Sequence, residues 1–297
     1  MNISVIIPTY KNKQLLLNNL KKNYPFFKDL KIIIVNDDPE ESLKKDLSSF
    51  KNIDLIEHKN NVGFSISVND GVNKTGNDCD LIMLLNNDVV LLDDSYKKAV
   101  GYFSANPLLF AVSFSQKEKD GKMVGKNRLF WYKGFVSHAK RNKLLFGTSA
   151  WAEGGACIID KKKFVALSGF DPLYSPFYWE DIDLSYRAWK SGFEVLFDPK
   201  IIVEHQHETT IGKYFDKKMI KTIAYRNQFL FIWKNITDVF LLFQHIVMLP
   251  IYFLKLLTKR EFSFFYGFFS ALKYLPKIKR IQYTISDKTV FRKLNHE

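Results

Sequence analysis

The sequence predicts an α/β fold, a mostly parallel sheet with flanking helices, followed by a C-terminal helical appendage that is both apolar and basic. Three observations predict it. Short apolar runs at 3–7, 31–35, 53–57, 81–85 and 109–115 alternate with segments of helical spacing, the pattern of a parallel sheet covered on both faces. The 297 residues, 46% of them hydrophobic, allow one large core. From residue 225 the composition shifts to long apolar stretches interleaved with Lys and Arg.

Each element has its own justification. Residues 3–7 form a buried strand that Pro8-Thr9-Tyr10 ends. Residues 12–22 have helical spacing, with Leu15, Leu16 and Leu20 on one side. A second strand, 31–35, stops at Asn36-Asp37-Asp38-Pro39; 43–50 reads as a short helix and 53–57 as a third strand. Helix 63–72 carries Val62, Ile66 and Asn69 along one face. Strand 81–85 ends in Asn86-Asn87-Asp88, and helix 93–105 leads to strand 109–115. Residues 116–146 are basic, polar and irregular, and read as a variable loop region. Residues 154–159 are strand-like, 181–190 helical with Gly192 in the C′ position, and 193–197 and 201–205 two short strands.

Charge and cysteines narrow the function classes. A net charge of +13 and a pI near 9.4 call for an anionic partner: nucleic acid, an acidic membrane surface or a phosphorylated substrate. The positive residues concentrate among the C-terminal apolar segments and no RNA- or DNA-binding motif appears, so no nucleic-acid partner is expected. Cys79 and Cys157 make neither a metal pattern nor a disulfide framework, which points to a reducing compartment. The N-terminal residues do not read as a signal peptide.

The densest chemistry lies at Phe177-Tyr178-Trp179-Glu180-Asp181-Ile182-Asp183-Leu184-Ser185-Tyr186-Arg187, where three carboxylates fall within four residues among aromatics. Such acids are costly to desolvate, and a general base acting on a poor nucleophile needs that setting. In open parallel sheets ligands sit at the carboxyl ends of the strands. Pro8-Thr9-Tyr10, Asn36-Asp37-Asp38 and Asn86-Asn87-Asp88 all fall at such ends and should converge on one crevice.

Taken in order, Ser4-Val5-Ile6-Ile7-Pro8-Thr9-Tyr10, Val35-Asn36-Asp37-Asp38, Asn60-Asn61-Val62-Gly63 with Asn69-Asp70-Gly71, and Leu84-Leu85-Asn86-Asn87-Asp88 resemble the family 2 glycosyltransferases. These are inverting sugar-nucleotide enzymes of the GT-A fold. Gly154-Gly155-Ala156, Ser168-Gly169-Phe170-Asp171, Trp179-Glu180-Asp181-Ile182-Asp183-Leu184, Arg187 and His205 agree, and are most similar to the rhamnosyltransferase-like and galactofuranosyltransferase-like branch. The resemblance covers roughly 3–235. It implies that Pro8, Thr9 and Tyr10 line the base and ribose, that Asp37 accepts from the base N–H, and that Asn61 and Gly63 approach the nucleotide. Asn86-Asn87-Asp88 stands where the family has D-x-D, with Asp88 alone able to offer a charged oxygen to Mn²⁺ or Mg²⁺. His205 falls where a histidine completes the metal site, and His207, two residues on, is the rival. Asp181 is implied to be the base and Glu180 an acceptor contact, while Asp183 reads as structural, a cap or an i+4 partner of Arg187. Trp179 would stack on a sugar face or pack in the core. Gly154 and Gly155 would make room for the donor sugar, with Trp151 and Glu153 close by.

Residues 236–257 are about long enough to cross a bilayer at roughly 1.5 Å per residue, but contain Asp238, Gln244, His245, Pro250 and Lys255. An interfacial helix rimmed by lysines fits better than a span; packing on the catalytic domain or a homo-oligomer contact are the alternatives. The expected organisation is a catalytic domain over 1–224, with a nucleotide half (1–115) and an acceptor half (146–224), then a membrane-associating or oligomerising region over 225–297. The expected activity is metal-assisted, inverting transfer of one sugar from a UDP or dTDP donor to a lipid-linked or cell-surface glycan, at the inner face of the cell membrane. The competing expectation is a non-catalytic, membrane-associated nucleotide-sugar-binding protein.

Overall fold

The computed structural model describes residues 1–205 and 210–295. The first half runs β1 (Ile3–Thr9), α1 (Lys13–Asn23), β2 (Lys31–Asn36), α2 (Lys44–Leu47), β3 (Ile53–Glu57), α3 (Phe64–Lys74), β4 (Leu81–Leu85), β5 (Val89–Leu91) and α4 (Lys98–Ala105). Then come β6 (Leu109–Glu118), β7 (Met123–Val124), β8 (Asn127–Tyr132), β9 (Phe135–Lys140), β10 (Gly147–Thr148), β11 (Ala156–Asp160) and α5 (Lys161–Ala166). The chain continues with α6 (Glu180–Lys190), β12 (Glu194–His205), α7 (Thr210–Tyr214), α8 (Lys217–Asn235), α9 (Val239–Thr258), α10 (Phe262–Leu272) and α11 (Asp287–Asn295).

The main sheet has the order β10-β12-β6-β11-β4-β1-β2-β3. Strands β3, β2, β1, β4, β6 and β12 share one direction, and β11 and β10 oppose it. Successive residues alternate between two buried faces. Val5, Ile7, Ile32, Ile34, Met83 and Leu85 pack with Leu16 and Leu20 of α1 and Phe103 of α4. Ile6, Ile33, Val35, Ile82 and Leu84 belong to a second layer with Val68 and Val72 of α3, together with residues of α6 and α8. Burial on both faces is why these strands read as unbroken apolar runs.

Three expectations change. Residues 116–146 are not a loop region: β8 and β9 form a hairpin in register from Asn127↔Lys140 to Tyr132↔Phe135. Its two-residue turn, Lys133-Gly134, has positive φ at both positions, 46° and 85°, the geometry that matches strand twist in tight hairpins. Glycine at 134 also permits close approach of α9, since a Cβ there would lie 2.8 Å from Met248 Cβ. The two strands expected over 193–205 are one, β12, interrupted by a register shift between Asp198 and Ile202. The boundary expected at 224/225 falls inside α8, whose Phe229, Leu230, Phe231 and Ile232 are fully buried in the core shared with the sheet.

Candidate active site

The parallel strands deliver their carboxyl ends to one edge, where Thr9 stands beside Asn36 in register. A cleft of about 380 Å³ opens there. Pro8, Thr9, Tyr10, Asp37, Asn61, Gly63, Asn86, Asn87 and Asp88 line one wall; Glu153, Gly154, Gly155, Glu180, Asp181 and His205 line the other. The separate strand-end clusters and the acidic helix therefore meet, as the carboxyl-end rule requires.

The first wall is held by amides. Asn87 Nδ2 donates to Thr9 Oγ1 (2.8 Å), and Asn19 Nδ2 from α1 donates to the Asn87 carbonyl (3.0 Å). Asp37 does more than face the cleft. Its Oδ1 accepts the Val62 N–H (2.9 Å) and its Oδ2 the Gly63 N–H (2.8 Å), so it clamps the 61–63 loop. His58 braces that clamp, with Nδ1 2.9 Å from Asp37 Oδ1 and Nε2 3.1 Å from Asp70 Oδ2. Charge-assisted bonds of this kind contribute about 1.5–3 kcal/mol. His58→Phe should weaken nucleotide binding by about tenfold or more by calorimetry while leaving turnover at saturating donor nearly unchanged; equal affinity would detach the clamp from nucleotide binding. Behind the opposite wall, a Cβ on Gly155 would lie 2.3 Å from Asn86 Nδ2, so a side chain there would displace the Asn86 amide.

Asp88 and His205 are brought together by pairing of β5 with β12, which sets His205 opposite Val89. Asp88 Oδ1 is buried without a hydrogen-bond partner and lies 3.2 Å from His205 Nε2. Neighbouring ligands of one divalent cation, each about 2.1 Å from it, stand about 3 Å apart. A carboxylate oxygen and an imidazole nitrogen at this spacing fit Mn²⁺ or Mg²⁺, the imidazole suiting the former. Among the described residues no group of three His, Cys, Asp or Glu could hold a metal. His207 lies outside the described residues.

The opposite wall begins in strained backbone. Tyr178 and Trp179 both adopt left-handed conformations, φ 71° and 77°, which cost bulky residues of order 1–3 kcal/mol each. The buried Asn227 side chain of α8 holds this turn by donating to the carbonyls of Tyr174 (3.0 Å), Phe177 (3.0 Å) and Tyr178 (2.8 Å). The turn swings Trp179 away from the cleft. It is 5% exposed and packs on Phe231 and His138, while Trp151, 6% exposed, also meets His138. Neither tryptophan lines the cleft, contrary to the expectation of sugar contacts. Tyr178 and Phe177 do. Composition could not separate these neighbouring aromatics, because the left-handed turn sets which ring faces inward.

Glu180 and Asp181 open α6. Glu180 is buried and its Oε2 has no hydrogen-bond partner; burial, then the Asp181 charge, pushes its carboxyl well above the usual range. Asp181 Oδ1 accepts the Ile182 N–H (2.8 Å), and the Gly154 N–H lies 3.4 Å from Oδ2. Burial first, and Glu153 second, raise Asp181 to about 7, against the pull of those backbone N–H groups. Glu153 is fixed by Gln116 Nε2 (2.6 Å), Asn127 Nδ2 (3.1 Å) and Lys140 Nζ (3.6 Å). Gln116 was not singled out by sequence; its only signal is its place toward the carboxyl end of a strand. Asp183 points away, into a buried pair with Arg187 (2.7 Å).

Comparison with known proteins agrees with this fold. The chain is 26% identical over 227 residues, 73% of its length and 71% of the relative's, to the O-antigen chain rhamnosyltransferase RfbN of Salmonella typhimurium (strain LT2). Among solved structures, GalNAc-T7 with UDP, GalNAc and Mn²⁺ superposes over 80% of this chain with a TM-score of 0.61 and 16% identity. The chain spans about half (48%) of that protein's length. The mannosyltransferase PcManGT of Pyrobaculum calidifontis, in complex with GDP-Man and Mn²⁺, superposes over 94% of this chain and 76% of its own, with a TM-score of 0.53 and 12% identity. These likenesses show a GT-A-type fold. The model of glycosyl transferase family 2 matches residues 4–167, more than half of the sequence, and the chain belongs to that family.

Proposed function

We propose that this chain transfers one sugar from a nucleotide-sugar donor to a hydroxyl of a lipid-linked or cell-surface glycan, with inversion, at the inner face of the cell envelope. One observation carries the reading: Asp181, a carboxylate raised to about 7, lines a single cleft together with the Asp88–His205 pair and the strand-end amides. The relative named as an O-antigen rhamnosyltransferase supports a glycan acceptor. The bound UDP, GDP-Man and Mn²⁺ of the structural neighbours support a nucleotide-sugar donor and a divalent metal, and the donor proposed is of the UDP or dTDP type.

The chain's residues divide the displacement between them. Pro8, Thr9, Tyr10, Asn61 and Gly63 hold the nucleoside, and Asp37 keeps their loop in place. Gly155 and Asn86 shape the sugar subsite beside Glu153. Glu180, whose carboxyl burial pushes well above the usual range, contacts an acceptor hydroxyl. Asp181 takes the proton of the acceptor hydroxyl as the new bond to the anomeric carbon forms and the bond to the diphosphate breaks. A divalent cation held by Asp88 and His205 would supply positive charge for the departing diphosphate.

The test is release of nucleoside diphosphate from UDP-, dTDP- and GDP-sugars, with and without Mn²⁺ and a glycan acceptor. Turnover on one UDP or dTDP donor is expected; binding without any turnover would favour a sensor. Asp88→Ala and His205→Ala should each lower diphosphate affinity in Mn²⁺ by about tenfold or more. Chelator should do the same to the wild type and little to either variant. Unchanged affinity and turnover in chelator would remove the metal from the mechanism.

A further inference from the structure

Helix α9 is apolar on both faces. Its inner face is fastened along its length: His245 Nδ1 lies 2.7 Å from the Gly134 carbonyl, Tyr252 packs at a tilt on Phe135, and Phe253 meets Phe264 and Phe268 of α10 edge to face. Its outer face presents Phe240, Phe243, Ile246, Ile251, Leu254 and Leu257, each more than half exposed. Helix α10, packed against α9, adds Tyr266 and Phe269. A helix apolar all round calls for cover on both sides, and the described residues cover one.

Charge identifies the missing cover. Between residues 239 and 283 the chain carries seven basic residues, among them Lys255, Lys259, Lys273, Lys277 and Lys279, against the single acid Glu261. That acid is paired with Lys221 (2.8 Å). A second copy seated on this face would bring like charges together, whereas anionic headgroups complement them. With 20 residues and a mean hydropathy of 1.8, α9 is long and apolar enough to cross a bilayer. Its attached inner face instead lays it along the protein surface, the posture of an interfacial helix. The polar groups that argued against a span, Gln244 and His245, turn inward, Gln244 to Trp131 (2.5 Å). The platform also reaches the cleft: Lys218 Nζ sits 4.9 Å from the Tyr266 ring, and Phe215, three residues before it, lines the cleft.

We propose that the α9–α10 face docks on an anionic lipid surface and holds the cleft mouth beside it, so that a lipid-anchored acceptor enters from that surface. Docking stands on the face itself; the entry of the acceptor rests on the transferase reading above. The test is flotation of the full chain with phosphatidylcholine vesicles, with and without phosphatidylglycerol, in the absence of substrate. Wild type should float with the anionic vesicles, at least about tenfold more tightly than with neutral ones, and lose that preference in high salt. Phe243→Ser with Ile246→Ser should reduce binding about tenfold or more. Replacing the exposed Lys277 and Lys279 by Ala should reduce it roughly fivefold per charge. Both variants should keep the wild-type melting temperature and release diphosphate from the donor at the wild-type rate, which separates loss of docking from loss of the active site. Undiminished flotation of both variants, equal binding to neutral vesicles, or a discrete dimer that Phe243→Ser with Ile246→Ser splits would overturn the proposal.

Discussion

Asp181→Asn is expected to lower kcat by about 10³-fold, within the span for loss of a positioned general base, while leaving nucleotide affinity within about twofold of wild type. The amide keeps the shape, and its one oxygen can still accept the Ile182 N–H, but it cannot take the acceptor's proton. The pH profile gives an independent check. Burial and Glu153 raise the Asp181 carboxyl to about 7, so wild-type activity should rise with pH through about 7, as the base ionises. The same shift has a stability sign. A carboxyl whose folded value lies above its unfolded one contributes nothing unfavourable at a pH below both, and costs stability as pH rises through the folded value. Asp181→Asn should therefore melt a few degrees higher than wild type at pH 8, since about 1 kcal/mol moves Tm by roughly 2–4 °C at this size, and level with it near pH 4. A variant that keeps its transferase rate, or a rate independent of pH between 5 and 9, would remove Asp181 from the role of base.

That prediction was legible early because its signals are local. The strand ends at Thr9, Asn36 and Leu85 are where apolar runs stop, and topology alone brings such ends together. The acids at the start of α6 announce themselves in the same way. What could not be read depends on backbone direction and on contacts distant in sequence. The β8–β9 hairpin turns on Lys133-Gly134, which lacks the Asn-Gly or Asp-Gly that usually marks such turns. One of its faces is covered by α8, α9 and α11 rather than by the main sheet, so its own alternation looks irregular. Trp179 could be read as a sugar contact or a core residue, and two left-handed residues in a row turn it to the core. Asp37 has a visible cleft position and an invisible duty, because the Val62 and Gly63 amides it holds lie on another loop. The C-terminal stretch was legible as apolar and basic. Only the packing shows that Gln244 and His245 face inward and that α8 belongs to the core.

Asp183→Asn is expected to destabilise the fold by about 3–5 kcal/mol, lowering Tm by on the order of 10 °C. Asp183 is fully buried. Its Oδ1 accepts from Tyr174 Oη (2.8 Å), Asn235 Nδ2 (2.7 Å) and Lys234 Nζ (2.9 Å), and its Oδ2 from Arg187 Nε (2.7 Å) and Lys234 Nζ (3.0 Å). Removing the charge leaves two buried cations undercompensated: Lys234 keeps the Asp171 carboxylate (2.6 Å) and the Tyr174 ring, and Arg187 keeps the neutral carbonyls of Leu167 and Gly169. Removing a cation as well, in Asp183→Asn with Lys234→Met, should recover part of the loss, because an unpaired buried charge costs more than an absent pair. Thermal melts of the two variants decide it; an Asp183→Asn protein that melts with wild type would reduce the network to a bystander. The network also separates two pH limits. Burial disfavours the Asp183 charge, but Lys234 and then Arg187 outweigh it and hold the carboxyl far below the ordinary range. Its stabilisation is full above the unfolded carboxyl value, near pH 4, and is lost only as pH falls through the depressed one. Two residues away along α6, Asp181 loses its charge near neutrality. Activity should thus vanish in mild acid while the helix that carries it stays clamped to α8, and circular dichroism at pH 5 should show the native fold in a protein that no longer turns over.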